Sequence, residues 1–259
     1  MGFGPITRVF LRDETEVGGE VRLSPGETHH IRRVLRAGDG ERIELVDVSR
    51  RLFVAELLEG DRARVLSEVS AGGDDGGACV VLYQAVPKGR RMDLVMEKAT
   101  ELGVERIVPL SSDRGVVRSG VGSSKVGRWR RIAESAARQA LRLKVPEVSE
   151  VMSFGEAVEE AEDGGVLLHN DPAAPPLEGM DLRSPAAVFV GPEGGWSERE
   201  LSRAGEAGLS VAHLGPYRLR SETAGIAAVS RAKVLLGGYE GEAYRTECPR
   251  PGIDGADHT

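Results

Sequence analysis

Apolar and polar positions alternate through the first seventy residues. ITRVFL, GERIELVD, RLFVAELLEG and RARVLSEV read as short apolar-rich segments with alternation such as that of Ile43 and Leu45, and with tight Gly/Asp turns between them. A period of two broken by frequent turns predicts the short strands of a small β-barrel. One stretch departs from it. SPGETHHIRRVLRAG combines Ser24, Pro25 and Glu27 as a capping box with proline at the first helical position, so a helix is expected there, with Gly38 closing it.

The pattern changes after SAGGDDGGA (70–78), a run of glycine, acid and small residues with nothing to bury. Strand-like and helix-like segments then alternate. ACVVLYQAV (78–86), ERIVPL (105–110), GVLLHN (165–170), AVFVG (187–191) and VAHLG (211–215) are expected as strands. Between them, helices are expected over about 90–102, stopped at Gly103, and over 124–143, with Val126, Trp129, Ile132, Ala136 and Ala140 at core spacing. FGEAVEEAE, SERELSRAG with the capping box Ser197–Glu200, and SETAGIAAVSRAKVLLGG complete the helices. Such alternation predicts an α/β domain with a parallel sheet covered on both faces, and ligands bind at the ends of such strands. The expected organisation is a barrel domain over 1–70, a linker over 71–78, an α/β domain over 79–240 and a flexible polar tail over 241–259.

Composition narrows the class. No apolar stretch nears the roughly 20 residues that span a bilayer, and MGFGPITRVFLRDE has no basic segment followed by an apolar one, so no signal peptide is read and a cytoplasmic location is expected. Cys79 and Cys248, the only cysteines, lie too far apart in sequence for metal-ligand spacing and are expected as free thiols. No metal is expected. The net charge of −7 argues against a polyanionic partner until it is localised. Residues 88–144 carry 14 Lys+Arg against 6 Asp+Glu, whereas 145–259 carry 9 against 20. A basic segment of this kind suits nucleic acid, and a set of solvated helix faces is the plain alternative.

Two loops carry the candidate chemistry. In VFVGPEGGWSEREL (188–201) a strand meets a glycine turn and a helix start, yet GPEGG fits neither the dinucleotide fingerprint nor a P-loop. Pro192 removes an amide donor and Glu193 repels phosphate, so a polyphosphate ligand is disfavoured and a phosphate-free, positively charged adenosine cofactor would suffer no repulsion. The alternative is a tight turn with Glu193 in water. In LGPYRLRSETAGIAA (214–228), Ser221 and Thr223 are expected to cap a helix start, and Arg220 with Glu222 forms either a ligand pocket or a surface ion pair. His29 and His30 are adjacent on a helix and cannot share a metal ion; they are read as RNA-facing or structural.

The loops VGPEGGWSEREL and LGPYRLRSETA, in this order, resemble those of the RsmE family of 16S ribosomal RNA (uracil N3) methyltransferases, in the SPOUT superfamily. HHIRRVLRAGDG, KGRRMDLVMEKATELGVERIVPL, SSDRGVV and RWRRIAESAARQALRLKVPEV extend the resemblance over about residues 5–240. It implies an N-terminal PUA-like β-barrel, a C-terminal SPOUT domain tied in a deep trefoil knot, a homodimer, and transfer of methyl from S-adenosyl-L-methionine to N3 of a uridine in small-subunit ribosomal RNA. Knots are nearly absent from proteins, so periodicity alone would not propose one.

Carried over residue by residue, Gly191, Glu193, Gly194 and Gly195 form the first cofactor loop; Leu214, Gly215, Leu219, Arg220, Ser221, Thr223 and Ala224 form the second. Tyr217 stands where arginine is common in the family, Ser221 where threonine is, and Arg138 where glutamate is, beside the matching Gln139 and Arg142. Because the uracil imide is a weak acid, a base or a cation stabilising its anion is expected, and Glu222 and Arg220 are the catalytic candidates. For RNA, the candidates are Arg32, Arg33 and Arg36 on the barrel helix, with Arg50 and Arg51 nearby, and Arg131, Arg138 and Arg142 as one stripe of the long helix. Lys88, Arg90, Arg91 and Arg114 join them near strand ends. A methyltransferase of the same fold acting on another RNA or at a ribose hydroxyl, and a non-catalytic RNA-binding assembly factor, are the alternatives; a dehydrogenase is the weaker one.

Overall fold

The computed structural model describes residues 7–69, 77–115, 123–161 and 164–239. The expected linker and tail therefore lie almost wholly outside the described residues. In the N-terminal region, β1 (Arg8–Phe10), β2 (Glu20–Arg22), β3 (Arg42–Val46), β4 (Leu52–Leu57) and β5 (Arg62–Val69) form one sheet in the order β1-β3-β4-β5-β2. The β1–β3 pair is parallel and the others antiparallel. Alternation buries Ile43, Leu45, Phe53, Ala55, Ala63 and Val65 on one core with Ile31.

Helix α1 (Pro25–His29) starts as the sequence predicts, with both halves of the Ser24–Glu27 capping box formed. It does not run to Gly38. The chain widens into a π-helical turn, His30–Val34, and leaves it through Arg36, whose φ of 60° is left-handed. Arg36 thus takes the helix-ending conformation expected of the glycine.

The C-terminal region is a seven-stranded parallel sheet. Its strands are β6 (Val80–Ala85), β7 (Arg106–Ser111), β8 (Glu147–Val148), β9 (Met152–Ser153), β10 (Val166–Leu168), β11 (Ala186–Val190) and β12 (Ser210–Ala212). Their order is β12-β10-β11-β6-β7-β8, and β9 also pairs with β7. Alternate residues face opposite layers. Val80, Leu82, Val188 and Val190 pack under α2 (Arg91–Glu101), α3 (Ser123–Gln139) and α6 (Ser221–Leu235). Tyr83, Leu167 and Phe189 pack under α4 (Phe154–Glu160) and α5 (Glu198–Glu206). The Tyr83 and Phe189 rings stack at 4.3 Å between centroids, and burial pushes the Tyr83 phenol well above its ordinary pKa.

Helix α3 ends at Gln139, before the expected 143, because Leu141 turns the chain with φ 54°. Arg142 therefore leaves the helical stripe of Arg131 and Arg138. Two regions meet here: the buried Arg8 of β1 reaches the carbonyls of Leu141 and Arg142, and Arg138 pairs with Glu27 of α1 at 3.4 Å. Among the described residues no helix is long and apolar enough to cross a membrane.

Candidate functional site

Parallel strands end with their carbonyl edges on one side, where the loops leaving them converge. The loops after β10, β11 and β12 enclose a cleft of about 470 Å³. Its wall is formed by Leu168, Val190, Leu214, Leu219 and Ala224, with the backbone of Gly191–Gly195 along one side. Gly195 has φ +71° and nothing within 4 Å of where a Cβ would stand, so the turn needs glycine while leaving open space beside it. Trp196, buried at 2% exposure, braces this turn from behind: its indole N–H donates to the Leu168 carbonyl at 3.0 Å and its ring packs on Phe154.

The acid in the turn is not left to solvent. Glu193 Oε1 accepts from the Lys88 backbone N–H at 3.1 Å and from Arg91 Nη1 at 3.2 Å. Arg91 also sets its Nε 3.5 Å from Glu222 Oε1. One guanidinium at the start of α2 thereby joins both loops through their carboxylates. Glu222 is 6% exposed, its Oε2 has no hydrogen-bond partner among the described residues, and it is not among the residues lining the cleft.

Ser221 differs from the expected helix cap. The N-cap of α6 is Arg220, which makes no side-chain cap bond. The Ser221 hydroxyl instead donates to the Gly191 carbonyl at 2.6 Å and accepts from Gln84 Nε2 at 2.9 Å, tying the second loop to the first and to β6. Replacing Ser221 with alanine removes the partner of the Gly191 carbonyl and of one N–H of the buried Gln84 amide, whose Nε2 keeps its bond to the Ala85 carbonyl, a loss of about 1–3 kcal/mol. Titration calorimetry of S221A with S-adenosylmethionine, the cofactor that the resemblance of the two loops implies, is expected to show affinity lowered on the order of tenfold, and S221T, which keeps the hydroxyl, is expected to restore it.

The structure brings together Gly191, Glu193, Gly194, Gly195, Leu214, Leu219, Arg220, Ser221 and Ala224 as cleft-lining residues. Gly215 and Thr223 are not among them; Gly215, with φ 118°, supplies the turn of the second loop. His169, Asn170, Tyr217 and Arg218 also line it. The loop after β10 had no motif to announce it, whereas Trp196 was visible beside the glycine turn without an assigned role.

The RNA candidates divide by partner. Arg33, Arg36, Lys88, Arg90 and Arg131 are exposed, Arg131 also donating to the Gly127 carbonyl one turn back at 3.4 Å, and Arg114 contacts the Gly194 carbonyl at 3.3 Å on the cleft wall. The others have structural bonds: Arg32 to the Ala37 and Leu58 carbonyls, Arg91 as above, Arg138 to Glu134 and Glu27, and Arg142 to the Thr100 and Val104 carbonyls. Arg51 is held by Asp47 at 2.8 Å, and Arg50 lies 4.0 Å from Glu105. Among the described residues no group of three or more His, Cys, Asp or Glu could hold a metal ion.

Residues 78–233 match the RNA methyltransferase domain and residues 23–70 the RNA methyltransferase PUA domain. Ribosomal RNA small subunit methyltransferase E of Mycobacterium bovis is 32% identical over 93% of this chain and 97% of its own length. The protein of that name from Neisseria gonorrhoeae, solved bound to S-adenosyl methionine, is 33% identical, with a TM-score of 0.78 over 89% of this chain and 98% of its own. A putative methyltransferase of Legionella pneumophila with bound cofactor SAM is 28% identical, with a TM-score of 0.79 over 89% and 98%. With a family match over more than half of its length and relatives aligned nearly end to end, the chain belongs to the ribosomal RNA small subunit methyltransferase E family of RNA methyltransferases.

Proposed function

We propose that this protein methylates N3 of an unpaired uridine in 16S ribosomal RNA with S-adenosylmethionine as donor, as a homodimer in the cytoplasm where ribosomes are assembled. The observation that carries it is the cleft joined from both loops by Ser221 and Arg91, with an apolar wall and an acid in place of a phosphate cradle. Those residues fit the cofactor. Leu168, Leu214, Leu219 and Ala224 would take its adenine, and the Gly191–Gly195 backbone would allow close approach. When bound, the cofactor supplies an electrophilic sulfonium methyl.

The protein's part is to align the uracil and stabilise the anion that methylation at N3 requires. Arg220, exposed on the cleft wall, would stabilise charge developing on the uracil oxygens. Glu222 is buried behind the wall beside Arg91, which favours a bracing role over that of proton acceptor. Orientation of the reacting pair can contribute about 7–11 kcal/mol to such a transfer. The exposed Arg33, Arg36, Lys88, Arg90 and Arg131 would meet RNA phosphates. The reading includes the trefoil knot that the resemblance implies, and the strand order, with β11 between β6 and β10 and β12 on the far side of β10, is compatible with it.

Mapping of 3-methyluridine in 16S RNA from cells with and without the gene tests this function. Loss of one 3-methyluridine, restored by the wild-type chain, is expected; an unchanged modification profile would overturn it.

A further inference from the structure

Uracil N3 lies on the edge used for Watson–Crick pairing, so a target methylated there must be unpaired and turned away from its stack. Such a base loses its stacking partners. It is held most readily where a flat side chain offers a new face and cations hold the flanking backbone.

Tyr217 supplies a face of this kind at the mouth of the cleft. It is 80% exposed, the most exposed of the large hydrophobic side chains among the described residues, and it lines the cleft together with Arg218 and Arg220. The other aromatic lining the cleft, Trp196, is 2% exposed and bonded to the Leu168 carbonyl. Arg218 and Arg220 are both exposed, and neither has an ion-pair partner among the described residues. The loop that presents them is braced. At its start, the Gly215 N–H donates to His213 Nδ1 at 3.0 Å, and the Leu214 carbonyl accepts from Arg231 at 2.9 Å. At its end, Ser221 is tied to Gly191. An exposed aromatic on a braced loop has little to gain from folding and is already arranged for a ligand.

We infer that Tyr217 is a stacking platform for a nucleobase of the RNA substrate at the cofactor cleft, with Arg218 holding an adjoining phosphate. This rests on the proposed reading of the protein as an RNA methyltransferase of unpaired uridine. The ring, and not the hydroxyl, is the working part.

Two measurements test it. In the first, fluorescein-labelled oligouridylate is titrated with the full-length protein by anisotropy, with S-adenosylhomocysteine present, so that turnover plays no part. In the second, methyl transfer to small subunits from cells lacking the gene gives KM for the subunit and kcat. Y217A is expected to weaken oligouridylate binding and raise KM on the order of tenfold, and to lower cofactor affinity by calorimetry by a smaller factor than it lowers oligouridylate binding. Y217F and Y217W are expected to restore what Y217A loses. Unchanged RNA binding in Y217A, or a loss that Y217F does not restore, would overturn the inference, as would a change in oligomeric mass accounting for the loss. If the wild type transfers no methyl while Y217A still loses oligouridylate binding, the platform stands and the proposed reaction falls.

Discussion

Replacing Arg8 with methionine is expected to lower stability by about 3–5 kcal/mol, because it leaves a buried carboxylate and two carbonyls without their donor. The guanidinium is 0% exposed. Its Nε and Nη2 both reach Glu44 Oε2, at 2.9 and 2.5 Å, across the parallel β1–β3 pair in which Arg8 and Glu44 are register partners. Its Nη1 donates to the carbonyls of Leu141 and Arg142, and Arg142 in turn donates to Thr100 and Val104 at the end of α2. A continuous run of hydrogen bonds therefore joins the PUA region to the methyltransferase region. Thermal denaturation of R8M should show a fall on the order of 10 °C for a chain of this size, with faster limited proteolysis between the regions. The double variant R8M/E44L removes both charges and should recover part of the loss, since an apolar pair avoids the stranded carboxylate. A wild-type melting temperature in R8M would show that the clamp contributes nothing.

That clamp was not legible in the sequence, although β1 was. Alternation says which face a side chain takes, and it placed β1, β3, β4 and β5, the longer strands of the second region and the buried face of α3, but not β2. It does not say which strand lies beside which. β11 between β6 and β10 follows from no local pattern, and β8 and β9, two residues each, are too short to show a period. Capping boxes were legible at Ser24 and Ser197 because their signal is contained in four residues, and the box that Ser153 forms with Glu156 was not read. Helix ends were less so. Arg36 and Leu141 adopt left-handed conformations that their side chains do not advertise, so the helices end ahead of the expected Gly38 and position 143.

The same limit governed the candidate site. Motif spacing identified the two loops, since a glycine turn between a strand and a helix start is a local feature. Counting arginines in 88–144 located positive charge but not its partners. Arg91 and Arg142, counted as RNA contacts, spend their donors on Glu193 and Glu222 and on the end of α2. Ser221 likewise looked like a cap from its place at a helix start. Only the approach of Gly191 and Gln84, 30 and 137 residues away, makes it the link between loops.

Gly195→Arg should raise the dissociation constant for S-adenosylmethionine by at least about 100-fold, a loss of roughly 3 kcal/mol or more. Gly195 lines the cleft, and open space lies where its Cβ would stand, so a long side chain grows into the volume of about 470 Å³ that the cofactor is proposed to fill. The new guanidinium also sets a positive charge against a sulfonium. Two effects have to be separated, because φ +71° strains any L side chain by on the order of 1–2 kcal/mol. Gly195→Ala carries the strain without the bulk. If strain governs, both variants lose affinity alike and melt a few degrees early; if occlusion governs, alanine keeps most of the affinity and arginine does not. Occlusion is the expected result, since the turn is held from outside by Trp196 and by Glu193 on Arg91, contacts that neither substitution touches. Equal binding of cofactor by wild type and the arginine variant would take the glycine turn out of the site altogether.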